Sequence, residues 1–181
     1  NPAGLDTEQL NRVRNTPGGL YNYHSKVDRR FNSNQVDWLL EAPCDILVPA
    51  ARPDAITARN ADRIQCKVIL QGANSPVNKM TDYYLSNRRK IISLPDFIVN
   101  SGGIIGCAVE LTMKADPDYK KKVEMKGTRL YTESLIKETI SKNIKQVFSE
   151  ATARDGTDIF FREKAISLAK NRLQTPEDNW L

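Results

Sequence analysis

The sequence predicts an α/β chain: a partial doubly wound parallel sheet of about three strands, followed by long C-terminal helices. Three observations carry this. Short apolar runs near 44–49, 67–71 and 90–94 alternate with segments of helical spacing, and continuous rather than alternating runs mark strands covered on both faces. Each run ends in a loop of small or polar residues: Pro49-Ala50-Ala51, Gly72-Ala73-Asn74 and Asn100-Ser101-Gly102-Gly103. Beyond Met113 the apolar residues keep helical spacing almost to the end. The expected organisation is one domain, with an α/β part over 1–114 and helices over 115–181.

In chain order, Asn1-Pro2-Ala3-Gly4-Leu5-Asp6 is turn chemistry, and Asp6 or Thr7 can cap a short helix through Leu10 and Val13. Thr16-Pro17-Gly18-Gly19 ends it. The polar stretch 20–34 holds the single histidine, His24; with no second ligand at metal spacing it reads as a surface residue. Asn34 can cap a short helix carrying Val36, Leu39 and Leu40. The first strand, Cys44 to Pro49, is closed by proline, and Ala50-Ala51 are small enough for a flat group to lie on the backbone. One or two helical turns over 57–64 turn Ala61 and Ile64 inward. The second strand precedes Gly72-Ala73-Asn74-Ser75-Pro76, and a helix follows through Met80, Tyr84 and Leu85.

The third strand leads into Leu94-Pro95-Asp96-Phe97-Ile98-Val99-Asn100-Ser101-Gly102-Gly103. From Ile104 a helix carries Cys107, Ala108 and Leu111 on one face and Ile105, Val109 and Met113 beside it, which predicts a buried helix. Its mouth offers free N–H groups and two residues without side chains. Taken alone, this N-x-G-G turn reads more simply as packing. Three such loops are better evidence for a ligand site, because right-handed βαβ connections bring all of them to one sheet edge. Later breaks at Ala115-Asp116-Pro117-Asp118 and Arg154-Asp155-Gly156-Thr157 divide the C-terminal half into helices.

Composition bounds the function. A chain of 181 residues with 40% apolar and 27% charged residues is globular and supports a real core. Cys44, Cys66 and Cys107 have no C-x-x-C spacing and sit in or beside apolar runs, which predicts buried, reduced thiols in a reducing compartment. No apolar run reaches transmembrane length, and no signal core opens the chain, so a membrane partner is not expected. The net charge of +5 gathers at Lys120-Lys121-Lys122, Lys126 and Arg129 and at Arg88-Arg89-Lys90. Without interleaved aromatics these clusters read as solvated faces, not a nucleic-acid surface.

Several motifs carry a resemblance. Asn-Pro-Ala-Gly-Leu-Asp at 1–6, Cys-Asp-Ile-Leu-Val-Pro-Ala-Ala at 44–51, Gln-Gly-Ala-Asn-Ser-Pro at 71–76, the 95–104 segment with Asn-Ser-Gly-Gly-Ile, and Arg162-Glu163-Lys164-Ala165 resemble, in order, motifs of the glutamate/leucine/phenylalanine/valine dehydrogenases, leaning to the glutamate members. The resemblance implies a partial Rossmann-like NAD(P)-binding domain and the oxidative deamination of an L-amino acid, glutamate first, to a 2-oxo acid and ammonia. It places Ala50 and Ala51 near the adenosine half of the cofactor. It assigns Asn74 and Asn100 to the nicotinamide ribose or carboxamide, and Ile104 and Cys107 to the amino-acid side-chain pocket. It also implies a homo-oligomer in the cytoplasm, or in the mitochondrial matrix of a eukaryote.

The departures bear on substrate. Ile104 replaces Val, Cys107 stands where glutamate enzymes carry Ser, and Gln71 and Val77 replace Glu and Thr. Val109-Glu110-Leu111 is similar to the Asp-Glu-Leu of leucine and phenylalanine enzymes. The nine glycines never fall at G-x-G, so the pyrophosphate loop is missing, and the family's catalytic Lys and Asp belong to an upstream substrate domain. The expectation is a C-terminal fragment lacking the substrate domain and the first βαβ unit, inactive alone and not binding NAD or NADP alone. Its alternatives are a leucine/phenylalanine-type fragment or a non-catalytic regulatory or structural module derived from the fold.

Overall fold

Parallel pairing in consecutive order, β1-β2-β3, organises the larger part of the molecule. The structure, a computed structural model, describes residues 4–27, 36–152 and 161–174. The expected cap at Asn34 and the break at 154–157 lie outside the described residues. The chain divides into two units, 1–39 and 40–181.

In the first unit α1 spans Thr7–Val13, capped by Asp6, whose carboxylate accepts from Gln9 N at 2.9 Å. A 3₁₀ turn at Gly19–Asn22 follows the Thr16–Gly19 stop. Tyr23 is buried and its hydroxyl accepts from Asp6 N at 2.7 Å; His24 is exposed. Helix α2, Val36–Leu40, spans the unit boundary.

In the second unit β1 is Ile46–Leu47, β2 Val68–Leu70 and β3 Ile92–Leu94. Ile46 lies opposite Val68, and Val68 opposite Ile92. Strand alternation then sorts the side chains. Ile69 and Ile91 face a core with Ile56, Ala61, Ile64, Val77 and Leu85, the last on α3, Lys79–Asn87. Leu70, Ile92 and Leu94 face a second core with Val147 of α7, Thr128–Thr152, and Phe161, Ala165 and Leu168 of α8, Phe161–Gln174. Phe148 and Phe161 rings meet there at 4.8 Å. Helices therefore cover both faces, as the continuous apolar runs predict.

After β3 come α4, Asp96–Val99, α5, Gly102–Ala115, and α6, Pro117–Lys126, which Asp116 caps through Asp118 N and Tyr119 N. Three expectations are corrected. Helix α5 is not buried: Val109 is, but Ile104 is 76% and Leu111 65% exposed. Apolar composition requires a cover, and within these residues only one face of α5 has one. The cysteines are free, but Cys44 and Cys107 are exposed and Cys66 half-buried. Cys44 leads into β1, an edge strand whose Ile46 is also exposed; burial nevertheless pushes the Cys66 thiol up to about 11. Lastly, Asp96 makes no side-chain cap on α4 and spends its carboxylate elsewhere.

Candidate functional site

Parallel strands deliver their exits to one edge. The first exit, Val48 to Ala51, lies against the second: Ala73 N donates to Pro49 O at 3.0 Å, and a Cβ on Gly72 would stand 3.0 Å from that of Ala50. Glycine at 72 is thus required for the two loops to touch. Ala50 and Ala51 are both exposed there.

The second exit meets the third through side chains. Asn100 Nδ2 donates to Asn74 Oδ1 at 2.8 Å, so residues far apart in sequence sit side by side. This leaves Asn74 Nδ2 and Asn100 Oδ1, which make no hydrogen bond among the described residues, as one donor beside one acceptor. A carboxamide or a vicinal diol answers that pattern. Asn100 ends α4, its N–H bonded to Asp96 O at 2.8 Å, and α5 begins two residues later. Both readings of the two glycines hold in part. A Cβ on Gly102 would come within 3.3 Å of Ile136 of α7, a packing constraint, whereas one on Gly103 would meet open space. Ile104 and Cys107 lie one turn apart on exposed α5, which places them on one face.

Beneath these loops lies a polar network that sequence reasoning missed. Gln71, fully buried, donates through Nε2 to Asp82 Oδ1 at 3.1 Å and to Ser93 Oγ at 2.9 Å. Its Oε1 accepts from Arg162 Nη2 at 2.7 Å, and Arg162 Nε donates to buried Asp82 Oδ2 at 2.8 Å. Burying Asp82 is sustainable because this guanidinium is its counterion. The second guanidinium reach, Nη2 to Asp96 Oδ1, is 3.4 Å. Asp96 Oδ2 accepts from Ser75 N at 2.8 Å. The Arg162-Glu163-Lys164-Ala165 motif was the only sequence signal for this network, and it did not identify partners.

Among the described residues no group of three His, Cys, Asp or Glu side chains is placed to hold a metal ion, and no helix is long and apolar enough to cross a membrane.

Comparison with known proteins agrees with this geometry. The profile of the Glutamate/Leucine/Phenylalanine/Valine dehydrogenase family matches residues 1–177. A glutamate dehydrogenase of Thermotoga maritima is 43% identical over 104 residues, 58% of this chain and 24% of that protein. One of Aeropyrum pernix is 34% identical over 131 residues, 69% of this chain and 30% of that protein. The chain thus spans between a quarter and a third of these relatives' length. The crystal structure of the hetero-hexameric glutamate dehydrogenase of Thermus thermophilus in its Leu-bound form superposes with a TM-score of 0.67 at 19% identity, over 98% of this chain and 38% of that one. The sheet and its helices are therefore part of a Rossmann-like fold, and the chain belongs to the glutamate/leucine/phenylalanine/valine dehydrogenase family.

Proposed function

We propose that this chain is the C-terminal part of the cofactor domain of an NAD(P)-dependent amino-acid dehydrogenase that deaminates L-glutamate to 2-oxoglutarate and ammonia as a homo-oligomer. The observation that carries the reading is the Asn74–Asn100 pair, with its free donor and acceptor at the edge where the parallel strands end. That pattern fits the nicotinamide half of a dinucleotide, whose carboxamide and ribose each donate and accept. When bound, the nicotinamide accepts the hydride from the substrate. Ala50, exposed beside Gly72, is suited to the flat adenosine end, and Ala51 follows it. The pyrophosphate seat is not supplied by these residues, which contain no G-x-G. The chain alone is therefore inactive in this reading, lacking both that seat and the proton-transfer groups.

Expression of the complete reading frame that encodes this chain tests the proposal. It should reduce NAD or NADP with glutamate, and Asn100→Ala should lower kcat/KM at least tenfold. Absence of turnover with glutamate, leucine and phenylalanine would leave the non-catalytic module standing. Leucine or a similar apolar amino acid is the second reading for substrate, favoured by the exposed apolar surface of Ile104 and Cys107, where no hydroxyl is available to a second carboxylate.

A further inference from the structure

We propose that Arg162, on the C-terminal helix α8, is a positioning residue for the Asn74–Asn100 pair, fixing both asparagine loops through Asp96 and Phe97 at the start of α4. This rests on the reading of the pair as ligand-binding groups.

One end of the guanidinium is anchored in the core. It bonds Asp82 and Gln71, both fully buried, and its own side chain is only 14% exposed. A planar fork bound on its Nε edge to a carboxylate has little freedom left, so its remaining edge points in a set direction. That edge meets α4 twice: Nη2 lies 3.4 Å from Asp96 Oδ1, and the guanidinium carbon lies 5.6 Å from the centre of the Phe97 ring.

Asp96 is where the two loops meet. Its Oδ2 accepts from Ser75 N, and its backbone carbonyl accepts from Asn100 N. Ser75, next to Asn74, has φ +48°, a left-handed conformation that costs a non-glycine residue on the order of 1 kcal/mol. Such a residue keeps its shape only if its surroundings impose it. Two groups do so here: the Asp96 carboxylate on its N–H, and Asp54, whose N–H donates to the Ser75 carbonyl at 3.0 Å. Arg162 thus stands one residue removed from both asparagines. A role confined to docking α8 belongs instead to Arg172, which donates to Asn143 and Gln146 of α7 at 2.9 and 3.0 Å.

The experiment uses the ¹⁵N-labelled 181-residue chain. It follows hydrogen exchange at the Ser75 amide and the side-chain amide signals of Asn74 and Asn100 during titration with nicotinamide mononucleotide, a probe needing no pyrophosphate seat. Arg162→Met should speed Ser75 exchange at least tenfold and weaken the mononucleotide at least fivefold. Arg172→Met, which loosens the same helix, should change neither by more than twofold. Unchanged Ser75 exchange in a folded Arg162→Met chain, or equal acceleration by Arg172→Met, would overturn the proposal. Should Arg162→Met not fold, Arg162→Lys decides, because it keeps a charge beside Asp82 but has no fork to span to Asp96. Faster Ser75 exchange supports the proposal and unchanged exchange refutes it. If the mononucleotide fails to bind the unsubstituted chain while the Arg162 variants still release Ser75, the positioning holds and the ligand reading falls.

Discussion

Replacing Gln71 by leucine removes three hydrogen bonds at once while nearly preserving volume. Asp82 loses one of its two partners and keeps the 2.8 Å bond to Arg162; Arg162 loses its shortest contact; Ser93 Oγ loses the amide that donates to it. Two of these bonds involve charged groups, each worth about 1.5–3 kcal/mol net, and the third about 1 kcal/mol. Against this, the leucine side chain gains roughly 1–2 kcal/mol from apolar burial at a fully enclosed site. The expected loss is about 2–5 kcal/mol. For a chain of this size that corresponds to a fall in Tm of roughly 5–15 °C. Thermal and urea unfolding followed by circular dichroism measure it. Ser93→Ala provides the scale: it strips one neutral partner from an amide that still holds Asp82, so about 1 kcal/mol is expected. If Gln71→Leu stays within about 0.5 kcal/mol of the parent chain, or proves milder than Ser93→Ala, the network does not hold the sheet to α3 and α8 as described.

Three further expectations are independent of this one. Gly102→Val should cost about 1–3 kcal/mol by forcing α5 away from Ile136, whereas Gly103→Ala, facing open space, should be neutral or stabilising by up to about 1 kcal/mol; equal effects in urea unfolding would refute the packing assignment. With a maleimide at about pH 8, exposed Cys107 should label first and Cys66 last, by at least tenfold, since a thiol at about 11 is roughly one part in a thousand thiolate there; mass spectrometry of timed digests would sink this if Cys66 kept pace. In the complete enzyme, Cys107→Ser should shift the ratio of kcat/KM toward glutamate over leucine by roughly tenfold, about 1.4 kcal/mol; an unmoved ratio removes Cys107 from the substrate pocket.

The strands were legible because each is a continuous apolar run, and both-face burial follows from that alone; only the ends moved, with pairing confined to 46–47, 68–70 and 92–94. Asn74 and Asn100 were legible because parallel topology brings strand exits together. Helix α5 was misread because Ile104 and Leu111 are apolar, and apolarity states that a cover is needed without saying whether these residues supply it. The thiols failed likewise: Cys44 sits beside an apolar run, but the run is an edge strand. Arg162 could not be assigned from pattern, since its partners lie 66, 80 and 91 residues away and no periodicity links residues at that range.

The two cores differ in when the growing polypeptide can complete them. The one beneath α3 uses residues no later than Ile91. The other needs Val147, Phe161, Ala165 and Leu168. At about 5–20 residues per second, a ribosome leaves the Leu70, Ile92 and Leu94 face bare for several seconds after the strands have emerged, with the Asp82 carboxylate still waiting for Arg162. During that interval the nascent sheet presents an oily surface and an unneutralised charge, features that attract chaperones and proteases. A chain that stops before Phe161 never leaves that condition, so a nonsense codon there should be cleared as a misfolded product, even though every residue of β1, β2 and β3 has been made.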